Sequence, residues 1–239
     1  MDLSTSVAIV TGASRGIGDA TSRQLVDAGA RVFGLARSAD DLDAVRADLG
    51  DAFVPVVCDV TDASSVESAI ARVVEEGGQI DVLVNNAGLG RFGDVDALDP
   101  DDWHLQVDTN LTGLYRCTAA AVPHMKQLHE ATGRVPYIVN VASIAGLVGN
   151  PGLSAYNATK FGVRGFSDAT MKELRPHGIK VSCVYPGSVD TDFRIGSGSP
   201  KNPNAMAPED IAATILHLLQ TPARTLISEV VMRPMKTRG

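Results

Sequence analysis

The chain has 239 residues, and its 28 acidic side chains outnumber its 21 lysines and arginines, which leaves a net charge of −7 at neutral pH. Such an excess of negative charge repels phosphate backbones and anionic lipids, so nucleic acid and membranes are excluded as expected partners. With a hydrophobic share of 44%, a charged share of 21% and a mean hydropathy of +0.06, the chain can bury a large core, and disorder of its bulk is excluded.

The first residues, from Met1 to Ser6, lack the basic region and the apolar stretch of a signal peptide, and no apolar run approaches the roughly 20 residues of a membrane span. We therefore expect a cytoplasmic protein. The three cysteines, Cys58, Cys117 and Cys183, are odd in number and widely spaced, which favours buried free thiols. The five histidines show no metal-ligand spacing, so no metal site is expected.

Short β-branched runs alternate with helical patterns along the chain. Seven such runs are present: Val7 to Val10, Arg31 to Leu35, Phe53 to Val57, Val82 to Asn85, Tyr137 to Val141, Lys180 to Tyr185 and Glu229 to Met232. Several are apolar at every position, as in strands that helices cover on both faces. The pattern predicts an α/β fold with a doubly wound, seven-stranded parallel sheet. Because no linker or repeat interrupts it, we expect residues 1–239 to form a single domain.

The helical patterns have recognisable ends. One runs from Ala63 to Glu76 and stops at Gly77-Gly78, and another begins at Pro208 and stops before Pro222. Two further helices, from Leu111 to Leu128 and from Tyr156 to Leu174, have broad apolar faces.

A glycine-rich turn, Thr11 to Gly18, joins the first strand to a helix that continues to Ala28. Missing side chains let the backbone approach a pyrophosphate, and the free N–H groups of the helix N-terminus face it. The candidate cofactor-binding residues here are Gly12, Ser14, Arg15, Gly16, Ile17 and Gly18.

The stretch Leu35-Ala36-Arg37-Ser38 stands at the end of the second strand, with no acidic residue at the position that distinguishes the two nicotinamide cofactors. An aspartate there would bind two ribose hydroxyls, whereas Arg37 would pair with a 2′-phosphate through a bidentate fork. NADP(H) is therefore favoured, and Arg15 adds a second positive charge. The alternative is that both arginines are solvated surface residues.

Polar residues also follow the third and fourth strands, where ligands bind to parallel sheets. Asp59-Val60 follows the third strand, and Asp59 is placed to accept a hydrogen bond from an adenine amino group. Asn85-Asn86-Ala87-Gly88 follows the fourth strand. The structural alternatives are a helix cap for Asp59 and a simple turn for the asparagines.

After the fifth strand comes Ser143, and thirteen residues later Tyr156 stands four positions before Lys160. A separation of four on a helix puts the phenol and the ammonium on one face. The ammonium is expected to lower the pKa of the phenol, so that Tyr156 exchanges a proton with an alcohol or carbonyl oxygen while Ser143 holds that oxygen. Taken separately, each residue also has a structural explanation: Ser143 as a helix cap, Tyr156 as a core residue and Lys160 as a surface residue.

Together these motifs resemble the short-chain dehydrogenase/reductase family, in its single-domain branch, over nearly the whole chain. The resemblance rests on Thr11 to Gly18, Asp59-Val60, Asn85 to Gly88, Tyr156 to Lys160 and Pro186 to Thr191, in that order and at the family's distances. Two departures, Ala142 and Thr159, replace serines that are common in the family, and neither is at a catalytic position.

The resemblance implies a Rossmann-type fold and a catalytic tetrad of Asn110, Ser143, Tyr156 and Lys160, in which Asn110 holds a relay water on a local helix distortion. It also implies that Lys160 holds the nicotinamide ribose, and that the remaining cofactor contacts come from Val60, Asn85, Ala87, Gly88, Pro186, Gly187, Val189 and Thr191. In the family the helices beginning near Leu111 and Tyr156 form subunit interfaces, so a homotetramer, or else a dimer, is expected.

We predict an NADP(H)-dependent oxidoreductase, a ketone, aldehyde or 3-oxoacyl reductase of the carbonyl reductase type. The expected substrate contacts are Leu89, Leu147, Val148, Asn150, Leu153 and Tyr185, beneath a flap from Phe193 to Met206 that includes a Gly/Ser/Pro/Asn-rich stretch. Two alternatives stay open: an NAD-dependent alcohol dehydrogenase, and a catalytically silent regulator that senses the dinucleotide.

Overall fold

One parallel sheet forms the centre of the computed structural model, which describes residues 1–193 and 202–236. Its strands are β1 (Val7–Thr11), β2 (Arg31–Ala36), β3 (Phe53–Val57), β4 (Val82–Asn85), β5 (Tyr137–Val141), β6 (Lys180–Pro186) and β7 (Glu229–Met232). They lie in the order β3-β2-β1-β4-β5-β6-β7, and each neighbouring pair is parallel. The predicted seven-stranded sheet is confirmed, with each predicted strand end within one residue of the observed one.

Helices pack on both faces of the sheet. They are α1 (Gly16–Asp27), α2 (Ala39–Leu49), α3 (Ala63–Gly77), α4 (Pro100–Val107), α5 (Gly113–Thr132), α6 (Ser154–Leu174) and α7 (Pro208–Gln220). On one face Ile70 of α3 and Met125 of α5 pack with buried strand residues, and on the other face Leu25 of α1 and Ile215 of α7 do so. Burial of each such side chain contributes about 1.5–3 kcal/mol, which explains why the all-apolar strands adopt this doubly wound arrangement.

The helix ends agree with the predicted start and stop signals. The Asp62 carboxylate accepts a hydrogen bond from the backbone N–H of Ser64 at the start of α3, and Gly78, with φ +78°, ends that helix. The helix predicted from Leu111 departs from expectation, because Asp108–Thr112 form a π-helical turn and α5 begins only at Gly113. This turn lies beside the carboxyl ends of the strands and shapes the site described below.

The order of the strands creates a crevice beside β1. The chain proceeds from β1 to β2 and β3 on one side and returns to β4 on the other, so the connections diverge at the carboxyl ends of β1 and β4. Cys58, Cys117 and Cys183 are free and buried, as predicted. Within the described ranges, no helix is long and apolar enough to cross a membrane, and no group of three His, Cys, Asp or Glu side chains is arranged to hold a metal ion.

Candidate active site

A cleft of about 470 Å³ opens at the carboxyl ends of the strands. Most of the residues predicted for the cofactor and for chemistry line it together: Gly12, Ser14, Arg15, Gly16, Ile17, Arg37, Ser38, Asp59, Val60, Ala87, Gly88, Ser143, Tyr156, Lys160, Pro186, Gly187, Val189 and Thr191. These residues come from six connections that are far apart in sequence, and the parallel sheet brings them to one edge.

The glycine turn is shaped for the close approach of a ligand. Gly12 has φ +67°, and a Cβ there would lie 3.0 Å from the Cα of Ala87, so only glycine fits without strain. A Cβ on Gly18 would collide with the carbonyl oxygen of Gly12, so Gly18 serves the packing of α1 on the turn and does not line the cleft. The N-terminus of α1, beginning at Gly16, offers unpaired N–H groups that fit a pyrophosphate.

Hydrogen bonds join the glycine turn to the loop after β4. Thr11 Oγ1 accepts from the backbone N–H groups of Asn86 and Ala87 at 2.9 Å, and Asn86 Nδ2 donates to the carbonyl oxygen of Thr11 at 2.9 Å. Asn85 was predicted to contact the cofactor, but the structure does not place it in the lining of the cleft. Its side chain is 3% exposed and donates to Thr118 Oγ1 and Asn140 Oδ1. Asn86, one residue later, lines the cleft instead.

The adenosine end of the cleft combines positive charge with an acceptor. Arg37 is exposed and forms no ion pair with any described residue, and Ser38 caps α2 by accepting from the backbone N–H of Asp41. Burial raises the pKa of Asp59, but hydrogen bonds from Thr61 and the positive charge of Arg37 outweigh it and lower that pKa overall. Asp59 is therefore an ionised acceptor at neutral pH.

Ser143, Tyr156 and Lys160 form the other end of the cleft. Ser143 follows β5, where its Oγ accepts from the backbone N–H of Ala145 at 3.1 Å and donates to the carbonyl oxygen of Pro186 at 3.4 Å. Tyr156 lies in the first turn of α6 and is 8% exposed. Lys160 is one turn further on, and its Nζ donates to the carbonyl oxygen of Val141 at 3.0 Å. The predicted one-face arrangement is present.

Burial is the main cause of the pKa shifts of Tyr156 and Lys160. It raises the pKa of Tyr156 to about 12, with the hydrogen bond to Ser143 acting in the opposite direction, and it lowers the pKa of Lys160 to about 8. We expected Lys160 to lower the pKa of the phenol, but the net shift is upward. The free energy lost when a phenolate is removed from water exceeds the free energy that its neighbours contribute by stabilising it. The phenol therefore keeps its proton at neutral pH and is suited to donate it.

Asn110 lies on the π-helical turn, at the predicted distortion, and is 1% exposed. Its Oδ1 accepts from the backbone N–H of Leu89 and its Nδ2 donates to the carbonyl oxygen of Leu89, both at 2.8 Å. The Nδ2 also donates to Thr159 Oγ1 at 3.2 Å, and that hydroxyl donates to the carbonyl oxygen of Tyr156 at 2.8 Å. Asn110 therefore joins the Leu89 loop to the catalytic helix.

The predicted substrate contacts are only partly brought together. Leu89 lines the cleft, whereas Leu147, Val148, Asn150 and Leu153 lie outside its lining. Leu147 packs against a small cluster of buried residues, and Val148 is 53% exposed.

The structure also departs from the prediction at Tyr185. Its ring is completely buried in β6, and its hydroxyl donates to Glu229 Oε1 at 2.6 Å, so it faces away from the cleft. Of the predicted flap, residues 194–201 lie outside the described part of the chain. The remainder is tied to the segment after β6, because the backbone N–H of Met206 donates to the carbonyl oxygen of Ser188 at 3.0 Å.

Two phenylalanines line the cleft beside Tyr156. Phe193 is the first residue of the predicted flap, whereas Phe92, in the loop after β4, was not predicted. The signal available for Phe92 was an aromatic residue four positions after the Asn85 to Gly88 motif, between two glycines, Gly90 and Gly93.

Comparisons with known proteins agree with this geometry. Residues 6–202 match the family model described as short chain dehydrogenase. The chain is 38% identical to a 3-oxoacyl-[acyl-carrier-protein] reductase of Synechocystis sp., over 95% of this chain and 94% of that protein.

Two solved structures share the fold along nearly the whole chain. A 3-ketoacyl-(acyl-carrier-protein) reductase from Brucella melitensis, complexed with NADH, superposes with a TM-score of 0.88 at 28% identity, covering 95% of this chain and 96% of that one. An alcohol dehydrogenase from Thermococcus sibiricus, complexed with 5-hydroxy-NADP, superposes with a TM-score of 0.89 at 30% identity, covering 98% of both chains.

Proposed function

Since the chain belongs to the short-chain dehydrogenase/reductase family, and is therefore an oxidoreductase that acts on CH–OH or carbonyl groups with a nicotinamide cofactor, we propose that it is an NADPH-dependent carbonyl reductase. The observation that carries the proposal is the buried Tyr156 phenol, whose pKa of about 12 keeps its proton available in the cleft that Ser143 and Lys160 also line. A protonated acid is what the reduction of a carbonyl group requires.

The cofactor would lie along the cleft. The glycine turn and the N-terminus of α1 would hold its pyrophosphate, Asp59 and Val60 its adenine, and Lys160 its nicotinamide ribose, with Pro186, Gly187, Val189 and Thr191 beside the nicotinamide. Gly12, where a Cβ would meet the backbone of Ala87, is the feature of this chain that fits a closely packed dinucleotide. When bound, the nicotinamide supplies hydride for reduction or accepts it for oxidation.

The side chains of the protein would bind the carbonyl oxygen of the substrate and transfer a proton to it. Ser143 and Tyr156 line the same end of the cleft, so both hydroxyls can bind one carbonyl oxygen and stabilise the charge that develops on it. Tyr156 donates its proton to that oxygen. Lys160, charged below its pKa of about 8, favours the phenolate that is left. Asn110 holds a water that returns a proton towards Lys160, a role that follows from the family resemblance.

NADPH is the proposed cofactor because Arg37 lines the cleft and forms no ion pair of 4.0 Å or less with any described residue, and no carboxylate ends β2. A guanidinium forms a bidentate pair with a phosphate, and Arg15 adds charge at the start of α1. The use of NADPH is consistent with the 5-hydroxy-NADP in the Thermococcus sibiricus protein, whereas the Brucella melitensis protein holds NADH. NAD-dependent alcohol oxidation is the second candidate.

The proposed substrates are ketones, aldehydes or 3-oxoacyl thioesters, the last being supported by the names of the relatives. We also propose a homotetramer, or else a dimer, assembled through α5 and α6. Tyr115 on α5 is 55% exposed and Phe161 on α6 is 41% exposed, which suits a covered face. Light scattering of the purified protein measures this state.

The proposed function is tested by following the oxidation of NADPH and of NADH with aldehydes, ketones, quinones and acyl thioesters. We expect consumption of NADPH with at least one carbonyl class, and a smaller rate with NADH. Tight binding of NADPH with no turnover of any carbonyl compound or alcohol would instead identify a dinucleotide-sensing regulator. A preference for NADH and for alcohol oxidation would identify the NAD-dependent dehydrogenase.

A further inference from the structure

Three aromatic rings meet at the catalytic end of the cleft. The ring centres of Phe92 and Phe193 lie 5.5 and 5.6 Å from that of Tyr156, and they lie 6.4 Å from each other. Phe92 meets Tyr156 edge to face, with an interplanar angle of 61°, and all three residues line the cleft. The hydroxyl that gives up the proton therefore lies next to an aromatic surface built by two other elements.

Phe92 is held by hydrogen bonds on both sides of it. The backbone N–H of Arg91 donates to Oε1 of Gln106, a completely buried side chain of α4, at 3.1 Å. The backbone N–H of Gly93 donates to the carbonyl oxygen of Gly152 at 2.9 Å. Because these contacts join the loop to α4 and to the segment before α6, Phe92 keeps its place relative to Tyr156.

Gly90 lets the two phenylalanine rings approach. A Cβ at this position would lie 2.8 Å from atoms of both Phe92 and Phe193, closer than carbon atoms pack. The absence of a side chain at Gly90 is therefore a condition for both rings to lie beside Tyr156. The arrangement depends on Gly90, Gln106 and the two rings together, which distinguishes it from a chance contact between surface aromatics.

Building on the proposed carbonyl reduction, we propose that Phe92 and Phe193 determine substrate specificity, and that they select carbonyl compounds with a flat aromatic group on the carbonyl carbon. Aromatic rings attract one another edge to face and offset at centroid separations of about 4.5–7 Å. An aryl group packed on these rings brings its carbonyl oxygen to Tyr156 and Ser143. The carbonyl carbon gains hydride from NADPH and the oxygen gains the Tyr156 proton, which yields the alcohol and NADP⁺, and solvent then restores the proton of Tyr156.

The test compares acetophenone with cyclohexyl methyl ketone, which have the same carbon skeleton but differ in the flatness of the ring. The ratio of their kcat/KM values is measured for the unmodified enzyme and for Phe92→Leu, Phe92→Tyr, Phe193→Leu and Trp103→Leu. The intrinsic reactivity of each ketone is the same in every variant. A change in this ratio between variants therefore reports the contribution of the Phe92 and Phe193 rings to substrate binding. Thermal unfolding of each variant verifies that it is folded.

We expect Phe92→Leu and Phe193→Leu each to reduce the acetophenone preference by about fivefold, the value of one aromatic pair. Phe92→Tyr, which keeps a ring, and Trp103→Leu, which removes an exposed ring of α4 outside the cleft, should leave the ratio unchanged. If Phe92→Leu does not fold, Phe193→Leu decides alone. An unchanged ratio in the leucine variants overturns the inference while carbonyl reduction stands. Failure of the unmodified enzyme to reduce any carbonyl compound overturns both proposals.

Discussion

The Nζ of Lys160 lies 5.7 Å from the ring centre of Tyr156, and both residues are almost completely buried. Burial acts on both groups, because it raises the pKa of the phenol and lowers the pKa of the ammonium. The result is a phenol that keeps its proton to about pH 12 and an amine that loses its own near pH 8. The activity and the stability of the protein should both depend on this pair.

Reduction should lose efficiency on the alkaline side of the Lys160 pKa. Below about pH 8 Lys160 is charged, and above it the amine becomes neutral while Tyr156 still holds its proton. Because kcat/KM reports ionisations of the free enzyme, kcat/KM for NADPH-dependent reduction should be level below that pH and fall above it. The measurement is a pH profile of kcat/KM for NADPH at a saturating ketone concentration, because this parameter reports the enzyme before the cofactor binds. A profile that stays level until Tyr156 itself ionises would contradict the assignment.

Lys160 should make the protein less stable at neutral pH. Its pKa is lowered from 10.5 to about 8 in the folded state, so the folded state binds the proton less tightly than the unfolded state does. Lys160→Met should therefore increase the free energy of unfolding by about 1–3 kcal/mol, after the lost hydrogen bond to Val141 is allowed for.

The same argument gives the pH dependence of this gain. The gain should be complete below about pH 8 and should shrink as the pH rises from 8 to 10.5, because only the unfolded chain still binds the proton in that range. Urea unfolding of both proteins across the range measures it. Lys172→Met, a change at an exposed lysine paired with Asp168, is the matched control. An equally stable or less stable Lys160→Met protein at neutral pH would contradict the prediction.

Arg37→Asp should reverse the preference between the two cofactors. Removing a charge-assisted contact worth about 1.5–3 kcal/mol should lower kcat/KM for NADPH by about 10- to 100-fold, while NADH, which lacks the phosphate, loses little. Arg46→Asp introduces the same change of charge on α2 at an exposed residue paired with Asp51. That control should leave the ratio of the two cofactors unchanged. An unaltered ratio in Arg37→Asp would favour the NAD-dependent alternative.

Thr159 should act as a positioning residue. Its hydroxyl accepts from Asn110 Nδ2 and donates to the carbonyl oxygen of Tyr156, so Thr159→Val disconnects the π-helical turn from the catalytic helix. We expect kcat to fall by about 3- to 10-fold, the value of one such hydrogen bond, with little change in KM. Thr159→Ser keeps the hydroxyl and should restore kcat. Equal losses in the valine and serine variants would show that packing, and not the hydrogen bonds, matters at this position.

Local patterns predicted most of the fold, and they placed many of the cleft residues at the carboxyl ends of parallel strands, where the sheet brings them together. The glycine turn is specified by Gly12 and its neighbours, and the four-residue spacing alone puts Tyr156 and Lys160 on one helix face. Apolar strands such as Val7–Thr11 predict burial on both faces and hence the parallel sheet.

The departures depend on contacts that local patterns do not contain. A shift of one residue at the end of β4 exchanges Asn85 for Asn86 in the cleft, because successive side chains of a strand point to opposite faces. Phe92 is held beside Tyr156 by hydrogen bonds from its loop to Gln106 and to Gly152, which lie outside that loop in the sequence. The raised pKa of Tyr156 depends on burial, a property of the assembled fold.

The central claim, that Tyr156 is the proton donor in a working reductase, is tested most directly with Tyr156→Phe. The variant keeps the ring that packs against Phe92 and loses only the hydroxyl, so the cofactor site and the fold should be retained. The measurement is single-turnover oxidation of bound NADPH by a ketone substrate, beside the Kd for NADPH. We predict a rate lower by about 10²- to 10⁴-fold, the contribution of a general acid, with Kd unchanged. A rate within about threefold of the unmodified enzyme at an unchanged Kd would contradict the account.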